Sequence, residues 1–367
     1  MRKLASVQKI IDIQSIPNAD AIEVATVLGW KVVIKKGSFD IGDLCVYFEI
    51  DSLLPELPEF EFLKTSSWKE KLNAYRLKTI KLRGQVSQGL ILPISDIEKY
   101  VDNVSEMVEG DDLTELLKIE KYEPPMTESE DGQSKGYNWE ISKTDEERVQ
   151  SDPSIIEKIK GLPYYASLKL DGTSSTFILS REKDELLLNV CSRNLCLKEI
   201  NTITKDDGSI VETPNEGKYW KIAKQYSIKE KMLKHYEKTN KRLAIQGEII
   251  GEGIQSNRMN IKGRDLYVFN VFETDDNNNF IKMEINDAIE LMDKFEIKFV
   301  PIVEMSDNFN FSTVEELLEF AKGNYCDYPE FKNADKNQPQ EGIVIRTWDG
   351  DISFKVINND FLLEGGD

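Results

Sequence analysis

The sequence predicts an α+β protein of two domains: a small β-barrel, then a domain of antiparallel sheets with flanking helices. Three observations predict it. Short strand-like runs punctuated by turn residues fill positions 1 to about 95. A polar, proline-marked stretch follows at 124–136. From about 148 onward, strand and helix patterns mix without the regular alternation of a doubly wound fold.

Taken in order, strands are expected at 7–13, 22–28, 31–34 and 44–50. Turns lie at Pro17-Asn18-Ala19-Asp20, Gly29-Trp30, Lys36-Gly37 and Ile41-Gly42-Asp43. The stretches 75–83 and 89–93 supply the last strands, and short helical pieces are expected from 96 to about 120. Pro124-Pro125 and the polar run 127–136 read as a linker or mobile loop, with order resuming at 145–150. The expected limits are 1–123 for the first domain, 124–147 for the connection and 148–367 for the second domain. In that second domain, 167–179 and 185–192 read as a hairpin or meander. Asp171-Gly172 reads separately as a tight turn between the two strand-like runs that flank it, where glycine would supply a positive φ. Helices are expected near 218–240, near 285–295 and at 313–322, the last opened by a capping box at Ser312-Thr313-Val314-Glu315. Strands are expected at 243–250, 266–272, 342–347 and 351–357.

Composition narrows the chemistry. The 367 residues are 40% hydrophobic and 31% charged, ordinary for a soluble globular chain. No apolar run is long enough to span a bilayer, and Met1-Arg2-Lys3-Leu4 does not open a signal peptide, so a cytoplasmic protein without membrane contact is expected. Cys45, Cys191, Cys196 and Cys326 form no metal-site spacing and read as reduced core thiols. The single histidine, His235, lies on a charged amphipathic pattern and reads as a solvated helix face. Catalysis must therefore use Lys, Asp, Glu, Arg or an oxygen-held metal. A net charge of −19 argues against a non-specific nucleic-acid coat but leaves room for a local basic groove. Tyr75 to Gln85 gathers Arg76, Lys78, Lys81 and Arg83; it reads equally as a lysine-guarded strand edge or a phosphate-contacting surface.

Six short elements then occur in one order. They are Lys169-Leu170-Asp171-Gly172, Ser192-Arg193-Asn194, the run Gln246 to Gln255 containing Gly247-Glu248 and Gly251-Glu252-Gly253, Leu266-Tyr267-Val268-Phe269-Asn270, Glu341-Gly342-Ile343-Val344-Ile345-Arg346, and Ser353-Phe354-Lys355-Val356. Each alone has a plain reading: a surface lysine at a turn, a core aromatic, a solvated strand residue. The series resembles motifs I, Ia, III, IIIa, IV and V of the covalent nucleotidyltransferases, which comprise ATP-dependent DNA and RNA ligases and mRNA capping enzymes. It is most similar to RNA ligases, and residues 16–23 and 29–33 resemble the N-terminal OB domain of Deinococcus- and Naegleria-type RNA ligases.

The resemblance implies an N-terminal OB-fold barrel and an ATP-grasp-like ligase domain. It implies a reaction joining a 3′-OH to a 5′-phosphate of RNA, at nicks in duplex, through lysyl-AMP and RNA-adenylate. Lys169 would be the nucleophile and Lys355 the α-phosphate contact. Phe269 would stack on adenine, Arg193 would meet ribose or phosphate, and Arg148 would clamp pyrophosphate. Asp171, Glu248 and Glu341 would surround Mg2+ or Mn2+, and Glu248 and Glu341 would also contact the nucleotide. ATP and RNA are the implied cofactor and partner, and no stable protein partner is implied. Three departures stand out: Ile357 where a second lysine is usual, Asn270 where an aspartate is common, and a sequence that stops at Asp367 without a C-terminal OB domain. The last argues against a DNA ligase or capping guanylyltransferase. An RNA-binding protein with an inactive transferase domain is the alternative of another class.

Overall fold

Alternating burial builds the first sheet. Along Trp30–Lys35, Trp30, Val32 and Ile34 are buried while the residues between them are not, the period-two signature of a strand with one face on a core. The computed structural model describes residues 2–101, 104–122, 131–136, 138, 140–183, 185–205 and 207–365. Its N-terminal strands are β1 (Ala5–Ser15), β2 (Ile22–Val27), β3 (Trp30–Lys35), β4 (Leu44–Phe48), β5 (Ser52–Leu54), β6 (Trp68–Lys69), β7 (Ala74–Arg76), β8 (Thr79–Leu82), β9 (Gln85–Gln88), β10 (Leu90–Pro93) and β11 (Glu120–Lys121). The main sheet is antiparallel in the order β10-β4-β1-β2-β3 and curls so that β3 meets β9. A smaller sheet, β11-β5-β7-β6, and the β8–β9 ribbon complete the domain. One core holds Val46, Phe48, Phe60 and Tyr75; the other holds Trp30, Val32, Tyr47 and Ile91.

The second half adds β12 (Tyr164–Lys169), β13 (Thr173–Glu182), β14 (Glu185–Ser192), β15 (Cys196–Leu197), β16 (Ile200–Thr204), β17 (Ile210–Pro214), β18 (Leu243–Gly251), β19 (Arg264–Thr274), β20 (Phe280–Lys282), β21 (Lys298–Phe299), β22 (Ile302–Ser306), β23 (Gly342–Thr347) and β24 (Ser353–Ile357). Two sheets carry it. One runs β22-β12-β23-β24; the other runs β15-β14-β13-β18-β19-β20, with β21 alongside β19. Helices Lys218–Gln225, Ile228–Thr239 and Ile285–Lys294 cover the larger sheet, burying Trp220, Met232 and Met292 against Phe177, Ile245 and Val268.

Four expectations are corrected. Asp171-Gly172 is not a hairpin turn, because β12 and β13 lie in different sheets and do not pair; the chain steps from one sheet to the other there. Glycine is required for space rather than for φ: a Cβ at Gly172 would lie 2.5 Å from the Ile249 carbonyl oxygen and 2.7 Å from Glu248 Cγ. The capping residue is Thr313, whose hydroxyl accepts from Glu316 N–H at 3.2 Å; the glutamate that reaches back is Glu316 and not Glu315, and it accepts from Ser312 N–H at 2.7 Å. The helix at 218–240 is two helices, broken where Ser227 takes φ 48°. His235 is not solvated: its ring is 12% exposed and Nε2 lies 2.8 Å from Glu273.

Of the connecting stretch, the expected linker at 124–130 lies outside the described residues. Residues 131–136 lie against the second half, where Lys218 pairs with Asp131 at 2.7 Å and Cys196 N–H donates to the Gly136 carbonyl at 2.6 Å. The two halves meet closely at Gly29, whose N–H donates to the Gln150 carbonyl at 2.9 Å; a Cβ there would lie 2.7 Å from Gln150 Cα. Ile357, Phe361 and Leu362 complete the core around Trp30 and Tyr47.

Lys282 on β20 lies beneath the turn at Gly350. Burial, helped by Arg346, pulls its amine down to about 7. Between there and the ordinary lysine range, the unfolded chain holds a proton that the folded chain lacks, so stability rises with pH across that window. Lys282→Met should remove this rise. Denaturant unfolding should find the variant more stable than wild type at pH 7, with the difference fading by about pH 10.

Candidate active site

The β12–β23 register sets Lys169 opposite Gly342, which brings Glu341 beside the lysine. Lys169 Nζ donates to Glu341 Oε1 at 2.6 Å. Gly342 has φ 138°, and a Cβ there would sit 2.1 Å from the Val356 carbonyl oxygen, so only glycine can hold this register. Glu248 comes from β18 of the other sheet, opposite Ser174 and Tyr267. All eight residues singled out from the sequence line one cavity of about 550 Å³ between the two sheets: Arg148, Lys169, Asp171, Arg193, Glu248, Phe269, Glu341 and Lys355. That volume falls in the range of small-molecule sites.

The electrostatics are those of crowded carboxyl groups. Burial pushes Glu248 up to about 8; Lys169 opposes the rise, and Glu341 and Asp171 add to it. Burial, then Glu341, pushes Asp171 up to about 6 against Arg258. Burial pulls the Lys169 amine down, but Glu341 and Glu248 outweigh it and hold its pKa above the ordinary value. Lys169 therefore stands as an ammonium ion, not as the free amine that a nucleophile requires. Among the described residues no three acidic or sulfur side chains already converge on one point. Glu341 is engaged by Lys169, and Asp171 lies 3.2 Å from Arg258 Nε. The oxygens fit a hard divalent cation that keeps most of its waters, and such a charge would relieve their mutual repulsion.

The two ends of the cavity differ. At one end, β19 carries a bulge: Asn270 pairs with Gln246 and Val268 with Gly247, which leaves Phe269 as the extra residue. The Arg346 guanidinium lies 5.8 Å from its ring centroid, and Arg346 itself is 1% exposed and paired with Glu146. Asn270 donates to Gln246 Oε1 at 3.0 Å, a neutral pairing where a carboxylate would lack a partner. At the other end, residues 147–149 run along β24, with Lys355 N–H donating to Glu147 O and Val149 N–H donating to Lys355 O. This sets Arg148 beside Lys355. Burial, with Arg148 adding, pulls Lys355 down to about 8. Asp145 lies 3.1 Å from Arg193 and 3.4 Å from both Lys355 and Lys121, and these cations hold it at about 2 against burial.

Several residues here carried no sequence signal. Asp51, at φ 68°, faces Arg148 at 3.2 Å and Arg2 and Arg76 at 3.9 Å, so the first domain walls one side of the cavity. Arg258 packs on the Phe361 ring at 4.6 Å. Tyr325 is wholly buried; its hydroxyl accepts from Asp171 N–H at 3.0 Å and Glu341 N–H at 3.2 Å and donates to the Lys169 carbonyl at 3.2 Å. One oxygen thus ties the backbones of three site residues. Tyr325→Phe keeps the ring and leaves two buried N–H groups without a partner, each costing about 1–3 kcal/mol. If Lys169 takes AMP as the resemblance implies, that step should slow by about ten- to a hundredfold, measured in single turnover, while the melting temperature shifts by only a few degrees.

The profile of the RNA ligase family matches residues 162–357, and an OB-fold domain profile matches residues 4–94. No curated protein matches. Among solved structures, a variant of Naegleria gruberi RNA ligase with AMP and Mn is 35% identical, covers 99% of each chain and superposes with a TM-score of 0.81. A variant with ATP and Mn is 34% identical over 100% of each chain, with a TM-score of 0.81. The enzyme with PPi is 34% identical over 99% of each chain, with a TM-score of 0.80.

Proposed function

The chain belongs to the RNA ligase family, and from that premise we propose that it seals RNA ends with ATP, carrying AMP on Lys169. The observation that carries this reading is the Lys169–Glu341 contact at 2.6 Å in a cavity with an aromatic ring at one end and cations at the other. Adenine stacks on Phe269, whose ring Arg346 supports. The polyphosphate extends toward Lys355, Arg148 and Arg193, and Lys355 holds the α-phosphate as charge builds there. Lys169 gives up a proton, for which Glu341 is the nearest acceptor. Its nitrogen then attacks the α-phosphorus and pyrophosphate leaves past Arg148. AMP passes next to an RNA 5′-phosphate, freeing Lys169; the 3′-OH then attacks that phosphate and AMP departs. Asp171, Glu248 and Glu341 would hold Mg2+ or Mn2+, which supplies charge neutralisation at the phosphates and disfavours the ammonium form of Lys169. ATP and Mn in the similar Naegleria structures support both choices.

Residues 1–123 form the OB domain in this reading and 148–367 the adenylyltransferase, with Asp145 and Glu146 contributed by the connection at 124–147. The first domain docks a nicked RNA duplex and helps to hold pyrophosphate. Arg2, Arg76 and Lys121 stand where they offset the missing second lysine at Ile357. Among the described residues no helix is long and apolar enough to cross a membrane. An intracellular site of action follows from the substrate.

Labelling with each of the four α-labelled NTPs tests the reading. ATP alone should label the protein, Lys169→Ala should abolish the label, and loaded wild type should seal a nick with RNA on the 3′-OH side. GTP labelling would point to a capping enzyme, sealing of DNA alone to a DNA ligase, and no label from any nucleotide to an inactive RNA-binding protein.

A further inference from the structure

The basic stretch that the sequence leaves with two readings becomes a distinct object in the fold. Between Glu70 and Asp96 there is no acidic residue, yet Lys71, Arg76, Lys78, Lys81 and Arg83 fall there, in a chain of net charge −19. Strands β8 and β9 form their own two-stranded sheet, closed by Arg83-Gly84 at φ 51° and 88°. Positive φ at both central residues gives the tight turn that matches strand twist. The base of the ribbon is fixed: Val33 N–H donates to Ser87 Oγ at 2.9 Å, and Gln88 donates to Asn359 at 3.2 Å. Its far end is open. Ile80 and Leu82 are 47% and 39% exposed, and Lys81 and Arg83 are exposed too. Alternation along Thr79–Leu82 puts Ile80 and Leu82 on one face and Lys81 on the other, while Arg83 stands in the closing turn at the tip.

A guarded edge does not look like this. Guarding lysines protect strands whose apolar residues face a core; here the apolar residues themselves meet solvent. Such a ribbon fits a polyanion with a groove wide and shallow enough to admit it, and an A-form duplex offers one in its minor groove, where sugar edges lie between the 2′-hydroxyls and base edges. The ribbon also stands near the chemistry, because β8 packs on helix Asn359–Leu363, whose Leu362 lines the active-site cavity.

We propose that the β8–β9 ribbon is an RNA-duplex clamp beside the reacting ends, with Arg83 at its tip on a backbone phosphate, Ile80 and Leu82 against the minor-groove surface, and Lys81 adding charge from the other face. The proposal rests on the RNA ligase reading. Lys81 also borders a groove with Asp360 and Glu364, which offset part of its charge, so Arg83 carries the larger share.

The test uses the full chain, a nicked RNA duplex with a 5′-phosphate at the nick, and binding measured across a salt series. Arg83→Ala should weaken binding by about tenfold and reduce the slope of log affinity against log salt by about 1. Lys81→Ala should do the same to a smaller degree. The double variant Ile80→Ser, Leu82→Ser should weaken binding with the slope unchanged. Labelling by ATP without RNA should stay within twofold of wild type in all of them. Unchanged affinity and slope in Arg83→Ala overturns the clamp, as does an equal loss of ATP labelling, which would signal a folding defect rather than a lost RNA contact. If wild type seals the nick while the ribbon variants seal it equally well, only the clamp fails; if wild type neither binds nor seals RNA, the ligase reading fails with it.

Discussion

Three carboxyl groups share one lysine at the centre of this molecule, and much of the surrounding structure answers that crowding. Glu341 holds the Lys169 ammonium, Asp171 is met by Arg258, and Glu248 is left to burial, which pushes it up to about 8. Buried like charges are costly unless something compensates them. The compensation is built from backbone as much as from charge. Tyr325 pins Lys169, Asp171 and Glu341 through one hydroxyl, and two glycines, Gly172 and Gly342, let strands approach where a Cβ would collide. A site this strained with repulsion stays poised for a positive charge.

The same logic explains how the two domains are joined. Asp51 of the first domain stands opposite Arg148 of the second, with Arg2 and Arg76 nearby. Arg148 also lies over the Trp30 ring, 5.9 Å from its centroid. The cavity is therefore a product of both domains, and the cations at its Lys355 end come from both. Ile357 fits this arrangement. Where a second lysine is usual, an apolar residue 3% exposed packs into the interdomain core with Trp30 and Phe361. Its place in the chain serves the interface, and the charge it lacks stands on other side chains around the pocket.

Strand positions were legible where burial alternates, as at Trp30–Lys35, and where turn residues punctuate them. Seven of the eight pocket residues were legible because they fall in short motifs with fixed order; Arg148 lies upstream of the first of them. What could not be read is contact between motifs. Tyr325 acts on residues more than 150 positions upstream, at Lys169, through a hydroxyl that no local pattern marks. Arg258 and Asp51 act by the same kind of long-range pairing. The Asp171-Gly172 turn was misread for a related reason. A local pattern suggests a hairpin, but sheet membership is decided by distant partners, and Tyr164–Lys169 pairs with Gly342–Thr347 instead. The bulge that frees Phe269 depends on cross-strand register, which a single strand does not encode.

The central claim is that the ammonium held by Glu341 is the group that becomes bonded to AMP. The most direct measurement is peptide mapping by mass spectrometry after incubation of the full chain with ATP and Mg2+, under conditions that preserve a phosphoramidate. The account predicts one AMP per chain, on Lys169, and its disappearance when pyrophosphate is added back. AMP on any other side chain, or an unmodified Lys169 in a protein that nonetheless seals RNA, would contradict it.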